Sequence, residues 1–313
     1  DEKAVARLEK SGHEVVVSHI EMADLLDGAL QSYDAIIVRS ATKLTKEVLE
    51  ASGDRLKVIG RAGVGVDNID LKTAGSLGMK VVNAPRASTQ SVVELTLGHL
   101  LASIRHLPRA DRSLRDGKWE KSAMKGSELS GKALGLIGFG RIAQGVGRVA
   151  KAIGMELHAY DPYLPREIAT EQDCTLHSDV NDVFRMCTHI SIHCNLSEET
   201  HHLVNAETLS MMPGIGADGT LCGNHLVSCA RGGIVNENDV LLALENETLS
   251  SCALDVFETE PVGNHPLLQH ANFHGTPHIG AATHEAQNRI GFEMAELLIE
   301  YFAGGVPLSV VNR

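Results

Sequence analysis

The stretch Leu134–Ala143 reads LGLIGFGRIA, a short apolar run that leads into three spaced small residues, Gly138, Gly140 and Ala143. Gly138 allows a tight turn, and Gly140 lets backbone N–H groups approach a pyrophosphate at the N-terminus of the following helix. Ala143 takes the third position, which only requires close packing of helix against strand. The stretch therefore predicts a strand, a glycine turn and a helix that together bind a dinucleotide.

The choice of dinucleotide depends on Asp161, which ends a second apolar strand, ELHAY, 18 residues beyond Ala143. An acidic side chain at this distance can accept hydrogen bonds from both ribose hydroxyls, and it repels a 2′-phosphate. The next residues, Pro162 and Tyr163, offer no cation to such a phosphate. Asp161 therefore favours NAD over NADP as the cofactor. The alternative is that Asp161 is only a turn residue before a proline.

Short β-branched runs alternate with helical patterns along almost the whole chain. Bounded by glycine and polar turns, such runs indicate parallel βαβ units rather than a sandwich. The predicted strands are His13–Val17, Ala35–Val38, Val58–Ile59, Lys80–Val82, Ala133–Ile137, Glu156–Ala159, His189–His193, Leu226–Cys229 and Cys252–Leu254. The predicted helices are Glu2–Lys10, Lys46–Ala51, Leu71–Leu77, Ser91–Ile104, Ala143–Ile153 and Asn238–Leu244. With 313 residues, the chain is long enough for two ordinary α/β domains.

The composition is that of a globular protein, with 43% hydrophobic and 22% charged residues. Its 28 basic and 40 acidic residues give a formal net charge of −12, which argues against a nucleic acid or an anionic membrane as partner. A small anionic substrate remains compatible, because a few local arginines can capture it. The six cysteines form no CxxC pair, which favours free thiols in a reducing cytoplasm. Since the chain begins at Asp1 without a signal-like run, we expect a cytoplasmic protein that lacks a few leading residues.

Two stretches interrupt the α/β pattern. Leu107–Gly131 is polar and charged and carries the only tryptophan, Trp119. It is either an arm that anchors Trp119 in a partner subunit or a surface loop of the same chain. Pro213–Asn224 is rich in glycine and lacks periodicity. We expect it to be a mobile, solvent-exposed loop that is dispensable for NAD binding.

Six further motifs make the chain resemble the D-2-hydroxyacid dehydrogenases, from about Asp1 to Val311. Three are general to that family: CARGGIVNE (Cys229–Glu237), ALDVFETEP (Ala253–Pro261) and TPHIGAAT (Thr276–Thr283). Three more narrow the resemblance to the branch that oxidises 3-phosphoglycerate: VRSATKLT (Val38–Thr45), GRAGVGVDNID (Gly60–Asp70) and DGKWE (Asp116–Glu120). The resemblance implies a short form without a C-terminal regulatory domain.

The family's architecture supplies the expected domain organisation. The resemblance implies two Rossmann-like, doubly wound parallel-sheet domains with a cleft between them. Residues 1–86 and 283–313 would form a discontinuous substrate-binding domain, and residues 87–282 an NAD-binding Rossmann domain. The helices around Ser91–Ile104 and Ala286–Phe302 would cross between the domains and act as the hinge. A homodimer through the arm around Trp119 is also implied, in keeping with the symmetry preference of oligomers.

Oxidation of a secondary alcohol needs a base for the hydroxyl proton and a cation that holds the carboxylate. His278 matches the family's acid/base position, and only imidazole titrates near neutral pH without large perturbation. Glu260 matches the carboxylate that pairs with this histidine, although the neighbouring Glu258 is an alternative that spacing does not exclude. Arg231 lies at a strand end before paired glycines, where its guanidinium could bind the substrate carboxylate in bidentate fashion.

Three other histidines, His265, His270 and His274, lie close to His278 in sequence. Their spacings do not place them on one helical face, and hydride transfer to NAD needs no metal. No metal site is therefore predicted.

The resemblance also implies further contacts for each ligand. For NAD, beside the glycine turn, Asp161, Arg231 and His278, the implied contacts are Val64, Arg141, Ile142, Cys194, Cys229, Ala230, Asp255 and Gly280. Asp255 would face the carboxamide of the nicotinamide. For the substrate, beside Arg231 and His278, the implied contacts are Arg39, Ser40, Arg61 and the backbone of Val64 and Gly65. Arg86 is either one more phosphate contact or a surface residue near the hinge.

The predicted function is NAD-dependent oxidation of 3-phospho-D-glycerate to 3-phosphohydroxypyruvate, the first step of phosphorylated serine biosynthesis. One alternative is another D-2-hydroxyacid dehydrogenase, such as a glyoxylate or hydroxypyruvate reductase. A second is a binding protein of the same fold that senses NAD without catalysis.

Overall fold

The computed structural model describes residues 1–312 and divides the chain into two units. One unit comprises Asp1–Thr89 with Ala281–Arg313, and the other comprises Gln90–Gly280. The strands are β1 (Ala35–Val38), β2 (Val58–Arg61), β3 (Lys80–Asn83), β4 (Ala133–Ile137), β5 (Glu156–Tyr160), β6 (Thr175–His177), β7 (His189–Ile192), β8 (His225–Ser228), β9 (Ser251–Leu254) and β10 (Phe273–Gly275). The helices are α1 (Glu2–Lys10), α2 (Met22–Leu26), α3 (Lys46–Ala51), α4 (Leu71–Ser76), α5 (Thr89–Ile104), α6 (Leu107–Arg115), α7 (Arg141–Ala152), α8 (Arg166–Glu171), α9 (Val180–Met186), α10 (Ala206–Ser210), α11 (Glu237–Glu245) and α12 (His284–Phe302).

The Gln90–Gly280 unit is built on a seven-stranded parallel sheet, the large sheet, in the order β10-β9-β8-β7-β4-β5-β6. β4 is buried along its whole length, as expected of a strand covered on both faces. The strand order reverses at β4, which pairs with β5 on one side and β7 on the other. Such a reversal marks the ligand-binding position outside the carboxyl ends of the strands. We call that side the C-terminal edge of the large sheet and the opposite side its N-terminal edge.

Small residues bring helix α7 close to the large sheet. Ala143 is fully buried, and a Cβ on Gly147 would stand 3.2 Å from Leu157 and 3.4 Å from Leu136. Larger side chains at these positions would push α7 away from β4 and β5. The close packing fixes the N-terminus of α7 directly after the glycine turn.

The other unit contains a three-stranded parallel sheet, the small sheet, in the order β1-β2-β3. A core of Leu8, Val58 and Leu298 joins α1 and α12 to this sheet. A second core, which includes Leu49 and Ile59, joins α3 to it. Both units therefore combine helices with parallel strands, which confirms the predicted α/β fold class.

The predicted strand His13–Val17 is wrong: this segment is neither helix nor strand. The small sheet ends at β1, and no ladder joins the segment to it within residues 1–312. A β-branched run becomes a strand only when a neighbouring strand takes up its backbone hydrogen bonds. Without such a neighbour, Val16 and Val17 remain exposed.

The polar stretch Leu107–Gly131 contains helix α6, which its sequence did not predict. His106 precedes the helix with φ 52°, and Pro108 lies in the first turn, where a missing N–H costs no hydrogen bond. Trp119 follows the helix and is 83% exposed. In the single chain, Trp119 therefore lies in solvent.

The stretch Pro213–Asn224 forms a turn at the N-terminal edge of the large sheet. Ile215 and Leu221 make an antiparallel bridge, and both side chains are exposed, which agrees with the predicted exposure. Asp218 forms an ion pair of 2.7 Å with Lys132, whose side chain is only 4% exposed and which directly precedes β4. The turn therefore lies at the opposite end of the sheet from the glycine turn and is fixed there by a buried cation. That it is dispensable for NAD binding stays a prediction.

Candidate active site

The glycine turn lies at the C-terminal edge of the large sheet, between β4 and α7. Gly138 has φ 83°, and a Cβ there would stand 2.7 Å from the backbone N of Cys194. A Cβ on Gly140, by contrast, would meet no atom within 4 Å among the described residues outside its two chain neighbours. Within residues 1–312, no side chain makes a capping hydrogen bond at the N-terminus of α7, the end of a helix that favours an anion. These features fit the pyrophosphate of a dinucleotide: the backbone turns tightly at Gly138, space is open at Gly140, and the N-terminus of α7 follows directly.

Asp161 lies beside this turn, directly after β5. Its Oδ2 accepts a hydrogen bond of 2.9 Å from Phe139 N, and its Oδ1 accepts one of 3.0 Å from Tyr163 N. These two bonds fix the carboxylate next to the residue between the two glycines. A carboxylate has further lone pairs, so Asp161 can still accept bonds from ribose hydroxyls. That contact stays a prediction.

His278 and Glu260 form a hydrogen-bonded pair, with 2.8 Å between Nδ1 and Oε2. The other carboxylate oxygen of Glu260 accepts from Phe257 N at 3.1 Å. Glu258, the alternative partner, lies 3.2 Å from His202 and accepts from Glu237 N. The structure therefore assigns Glu260, and not Glu258, as the partner of His278.

The backbone of His278 is held in a strained conformation. Its φ of 53° lies in the left-handed region, which costs a residue with a side chain about 1–2 kcal/mol. Asp255, 1% exposed, accepts from Ile279 N and Gly280 N, both at 2.8 Å. These bonds hold the two peptide groups that follow His278 and so maintain the strain. Sequence reasoning missed this role of Asp255, because no local pattern links residues more than twenty positions apart.

Arg231 lies in the turn that follows β8. Its Nη1 donates to Ala230 O at 2.7 Å. A Cβ on Gly232 would overlap Phe257 O, so the turn packs directly on the segment that leads to Glu260. The three predicted catalytic residues therefore stand at one edge of the large sheet.

The other predicted NAD contacts in this unit lie around the same edge. Cys194 follows β7, and its backbone meets Gly138; Cys229 follows β8. Burial raises the pKa of the Cys194 thiol to about 11 and that of Cys229 to about 12. Both thiols therefore stay protonated at neutral pH. Arg141 and Ile142 begin α7, Ala230 precedes Arg231, and Gly280 binds Asp255 through its N–H.

Several predicted substrate residues lie in the other unit, at the carboxyl ends of the small sheet. Arg39 and Ser40 follow β1, and both are exposed. Asn68 holds this loop, because its Nδ2 donates to Arg39 O at 2.9 Å. Arg86, after β3, is exposed, and Gly65 is half-buried. Their contacts with a substrate stay predictions.

Arg61, at the end of β2, is folded into its own loop. Its Nη1 donates to Ala62 O at 2.9 Å, and its guanidinium fills the space where Gly63 lacks a side chain. Val64 O accepts from Asn83 Nδ2 at 2.6 Å, which joins this loop to β3. Arg61 would have to move its guanidinium to hold a phosphate in bidentate fashion.

The extra histidines do not assemble a metal centre. His274 packs against His99, and His265 accepts from Leu267 N. Within residues 1–312, no group of three or more His, Cys, Asp or Glu side chains is arranged to hold a metal ion.

Among the helices of residues 1–312, none combines the length and the apolar character needed to cross a membrane.

Comparisons with known proteins agree with this geometry. The family model for the NAD-binding domain of D-isomer specific 2-hydroxyacid dehydrogenases matches residues 97–280. The D-3-phosphoglycerate dehydrogenase of Methanocaldococcus jannaschii is 42% identical over 311 residues, 99% of this chain and 57% of that protein. The hydroxypyruvate reductase of Thermotoga maritima is 42% identical over 297 residues, 94% of this chain and 92% of that protein. A structure of D-lactate dehydrogenase from Aquifex aeolicus, complexed with NAD and lactic acid, matches with a TM-score of 0.86 and 27% identity, over 99% of this chain and 97% of that one.

The relatives differ in length. The chain spans about half the length of the D-3-phosphoglycerate dehydrogenases it matches, between 52% and 57%. It covers nearly all of the hydroxypyruvate reductase.

Proposed function

This chain belongs to the D-2-hydroxyacid dehydrogenase family, and we propose that it oxidises 3-phospho-D-glycerate to 3-phosphohydroxypyruvate with NAD, the first step of phosphorylated serine biosynthesis. The observation that carries the proposal is the 2.8 Å hydrogen bond between His278 and Glu260 at the same edge of the large sheet as the glycine turn. An acid/base pair beside a dinucleotide site is what alcohol oxidation requires.

The pair defines which ring nitrogen of His278 reacts. Because the Glu260 carboxylate accepts from Nδ1–H, the neutral ring carries its lone pair on Nε2. Nε2 takes the proton of the substrate hydroxyl while the C–H bond at the same carbon breaks and a carbonyl forms. NAD, held by the glycine turn and Asp161, would supply the acceptor for the hydride that leaves this carbon. In the reverse direction, His278 returns the proton to the oxygen of the ketone.

The predicted substrate contacts include arginines, which suit an anionic substrate with two charged groups. Arg231 would hold the carboxylate and the oxygen that becomes the carbonyl, since a guanidinium binds a carboxylate in bidentate fashion. In the other unit, the exposed Arg39 with Ser40, and Arg61 after rearrangement, would take the phosphate. The units would then act as NAD-binding and substrate-binding domains, with α5 and α12 as the hinge helices.

Reduction of hydroxypyruvate or glyoxylate is the second candidate. It is favoured by the Thermotoga maritima hydroxypyruvate reductase, which is as identical to this chain as the phosphoglycerate dehydrogenase and matches it over 92% of its own length. The folded-in position of Arg61 also suits a smaller substrate without phosphate.

The test is a panel of 2-hydroxy acids with NAD and NADP, followed by nicotinamide absorbance, on the wild type and Arg39→Ala. We expect NAD-dependent turnover of 3-phosphoglycerate, and a loss in kcat/KM of roughly 10²-fold in the variant for this substrate. Turnover of unphosphorylated acids should change less than about threefold in the variant. Equal losses for both substrate types would favour the second candidate, and absence of any turnover would favour a binding protein.

We further propose a cytoplasmic homodimer. All six cysteines are free, and Trp119, 83% exposed in the single chain, offers a large apolar side chain to a second copy. Light scattering on Trp119→Ser tests this: the wild type should have twice the mass of the variant.

A further inference from the structure

Thr276 connects the turn of His278 to a histidine inside helix α5. Its Oγ1 lies 2.6 Å from Asp255 Oδ1 and 3.1 Å from His99 Nε2. Since a carboxylate only accepts hydrogen bonds, the single hydroxyl proton of Thr276 goes to Asp255. The Thr276 oxygen must then accept from His99. His99 therefore carries its proton on Nε2.

The surroundings of His99 keep its ring neutral. His99 is 4% exposed and packs against the ring of His274, with centroids 5.1 Å apart. Burial lowers the pKa of His99, although the charge of Asp255 opposes this. Burial likewise lowers the pKa of His274 to about 4. At neutral pH, His99 is thus a neutral donor that leaves the charge of Asp255 in place.

We propose that His99 is a positioning residue for the base His278. His99 acts through Thr276, whose hydroxyl it orients toward the Asp255 carboxylate. That carboxylate accepts the N–H groups of Ile279 and Gly280, which hold the left-handed conformation of the turn. Hydrogen bonds in a buried chain strengthen one another, so loss of the first donor weakens the last contacts. The inference rests on the proposed function, in which His278 is the base.

Two variants at one position separate the hydrogen bond from simple packing. His99→Leu removes the donor and keeps an apolar side chain, whereas His99→Gln keeps a neutral N–H donor. With the substrate that the panel identifies, we expect kcat of His99→Leu to fall about fivefold to tenfold, with KM for NAD unchanged. His99→Gln should recover kcat to within about twofold of the wild type.

The matched control is His225→Leu. His225 is equally buried, at 3% exposed, but it bonds Ser251 at the N-terminal edge of the large sheet. The His225→Leu variant should lose thermal stability, as His99→Leu does, but its kcat should equal that of the wild type. Wild-type kcat in His99→Leu, or equal losses in His99→Gln and His99→Leu, would overturn the inference.

A second measurement needs no substrate and so separates this inference from the proposed function. In protein labelled with ¹⁵N-histidine, the His99 signals are those that vanish in His99→Gln. We expect the Nε2–H tautomer between pH 7 and 8, and a shift of the His278 ring signals in His99→Leu but not in His225→Leu. An Nδ1–H or protonated His99 ring in this range, or an unshifted His278, would overturn the inference. If His99 shows the Nε2–H tautomer and the His278 signals shift in His99→Leu, the link from His99 to the turn is supported. If no 2-hydroxy acid is turned over in the same protein, only the proposed function fails.

Discussion

At the N-terminal edge of the large sheet, the side chains of Lys132, His225 and Ser251 are buried, whereas the reactive side chains at the C-terminal edge face solvent. Lys132, directly before β4, pairs with Asp218 of the Pro213–Asn224 turn. His225, at the start of β8, donates from Nε2 to Cys222 O and accepts a bond of 2.7 Å from the Ser251 hydroxyl at Nδ1. At the opposite edge, the side chains of His278 and Glu260 are 43% and 38% exposed. The same parallel sheet thus offers two different environments at its two ends.

The difference shows how a single sheet separates stability from chemistry. A buried polar group stabilises the fold only while its partners are in place. An exposed group can meet a substrate, but it must be fixed by other means. At the C-terminal edge that means is Asp255, which is buried beneath the turn of His278 and holds it through backbone N–H groups. We therefore expect changes at one edge to alter turnover and changes at the other to alter stability.

The largest effect is expected for His278→Gln. Gln cannot take a proton at neutral pH, so turnover should fall about 10³-fold, the usual contribution of a positioned base. Because the side chain is exposed, the Tm should change by no more than about 2 °C. Steady-state kinetics and thermal unfolding on the same preparation check both parts. NADH binding should persist, and a variant that loses its fold along with its activity would contradict the separation of the two edges.

The next effect belongs to the N-terminal edge and depends on pH. Burial lowers the pKa of His225 to about 4 from an unfolded value of 6.5. Between pH 6.5 and 4, the unfolded state therefore binds a proton at His225 that the folded state does not bind. The contribution of His225 to the free energy of unfolding is complete above pH 6.5 and is lost as the pH falls toward 4. His225 alone should account for about 3 kcal/mol of this loss.

Urea unfolding between pH 7 and 4.5 measures that slope. His225→Gln keeps hydrogen-bonding capacity without titrating, so its stability should fall less steeply with pH than that of the wild type. Equal slopes in His225→Gln and the wild type would show that His225 titrates normally in the folded state.

The two edges also differ in how far the sequence predicts them. The glycine turn follows from local pattern, because an apolar run, a positive φ at Gly138 and a helix start are all encoded within ten residues. The choice of the carboxylate that pairs with His278 does not follow from the local pattern. Glu258 and Glu260 both stand before Pro261, and only the folded chain directs one to His202 and the other to His278. The same limit explains the missed β10 and the wrong strand His13–Val17, since strands are defined by their neighbours as much as by their residues.

That partner choice gives the third prediction. Glu260→Gln removes the carboxylate that accepts from Nδ1 and orients the His278 ring, so kcat should fall about 30-fold, less than for loss of the base itself. Glu258→Gln makes the same chemical change two residues away, beside His202 instead. Its kcat should stay within about threefold of the wild type. Similar losses in both variants would mean that the pair at the C-terminal edge does not act through His278.

The smallest effect tests whether the Pro213–Asn224 turn serves stability alone. Asp218→Asn leaves the buried ammonium of Lys132 without its anion, whereas Lys132→Met keeps the apolar stem and leaves Asp218 near solvent with the bonds it accepts from Thr220. Because an unpaired buried charge costs more than an unpaired exposed one, we expect Tm to fall by about 4 °C in the first variant and about 1 °C in the second. The double variant should resemble Lys132→Met, since no buried charge remains to be compensated. NADH affinity, measured by fluorescence titration, should be unchanged in all three, and a weakened affinity would show that the N-terminal edge communicates with the glycine turn.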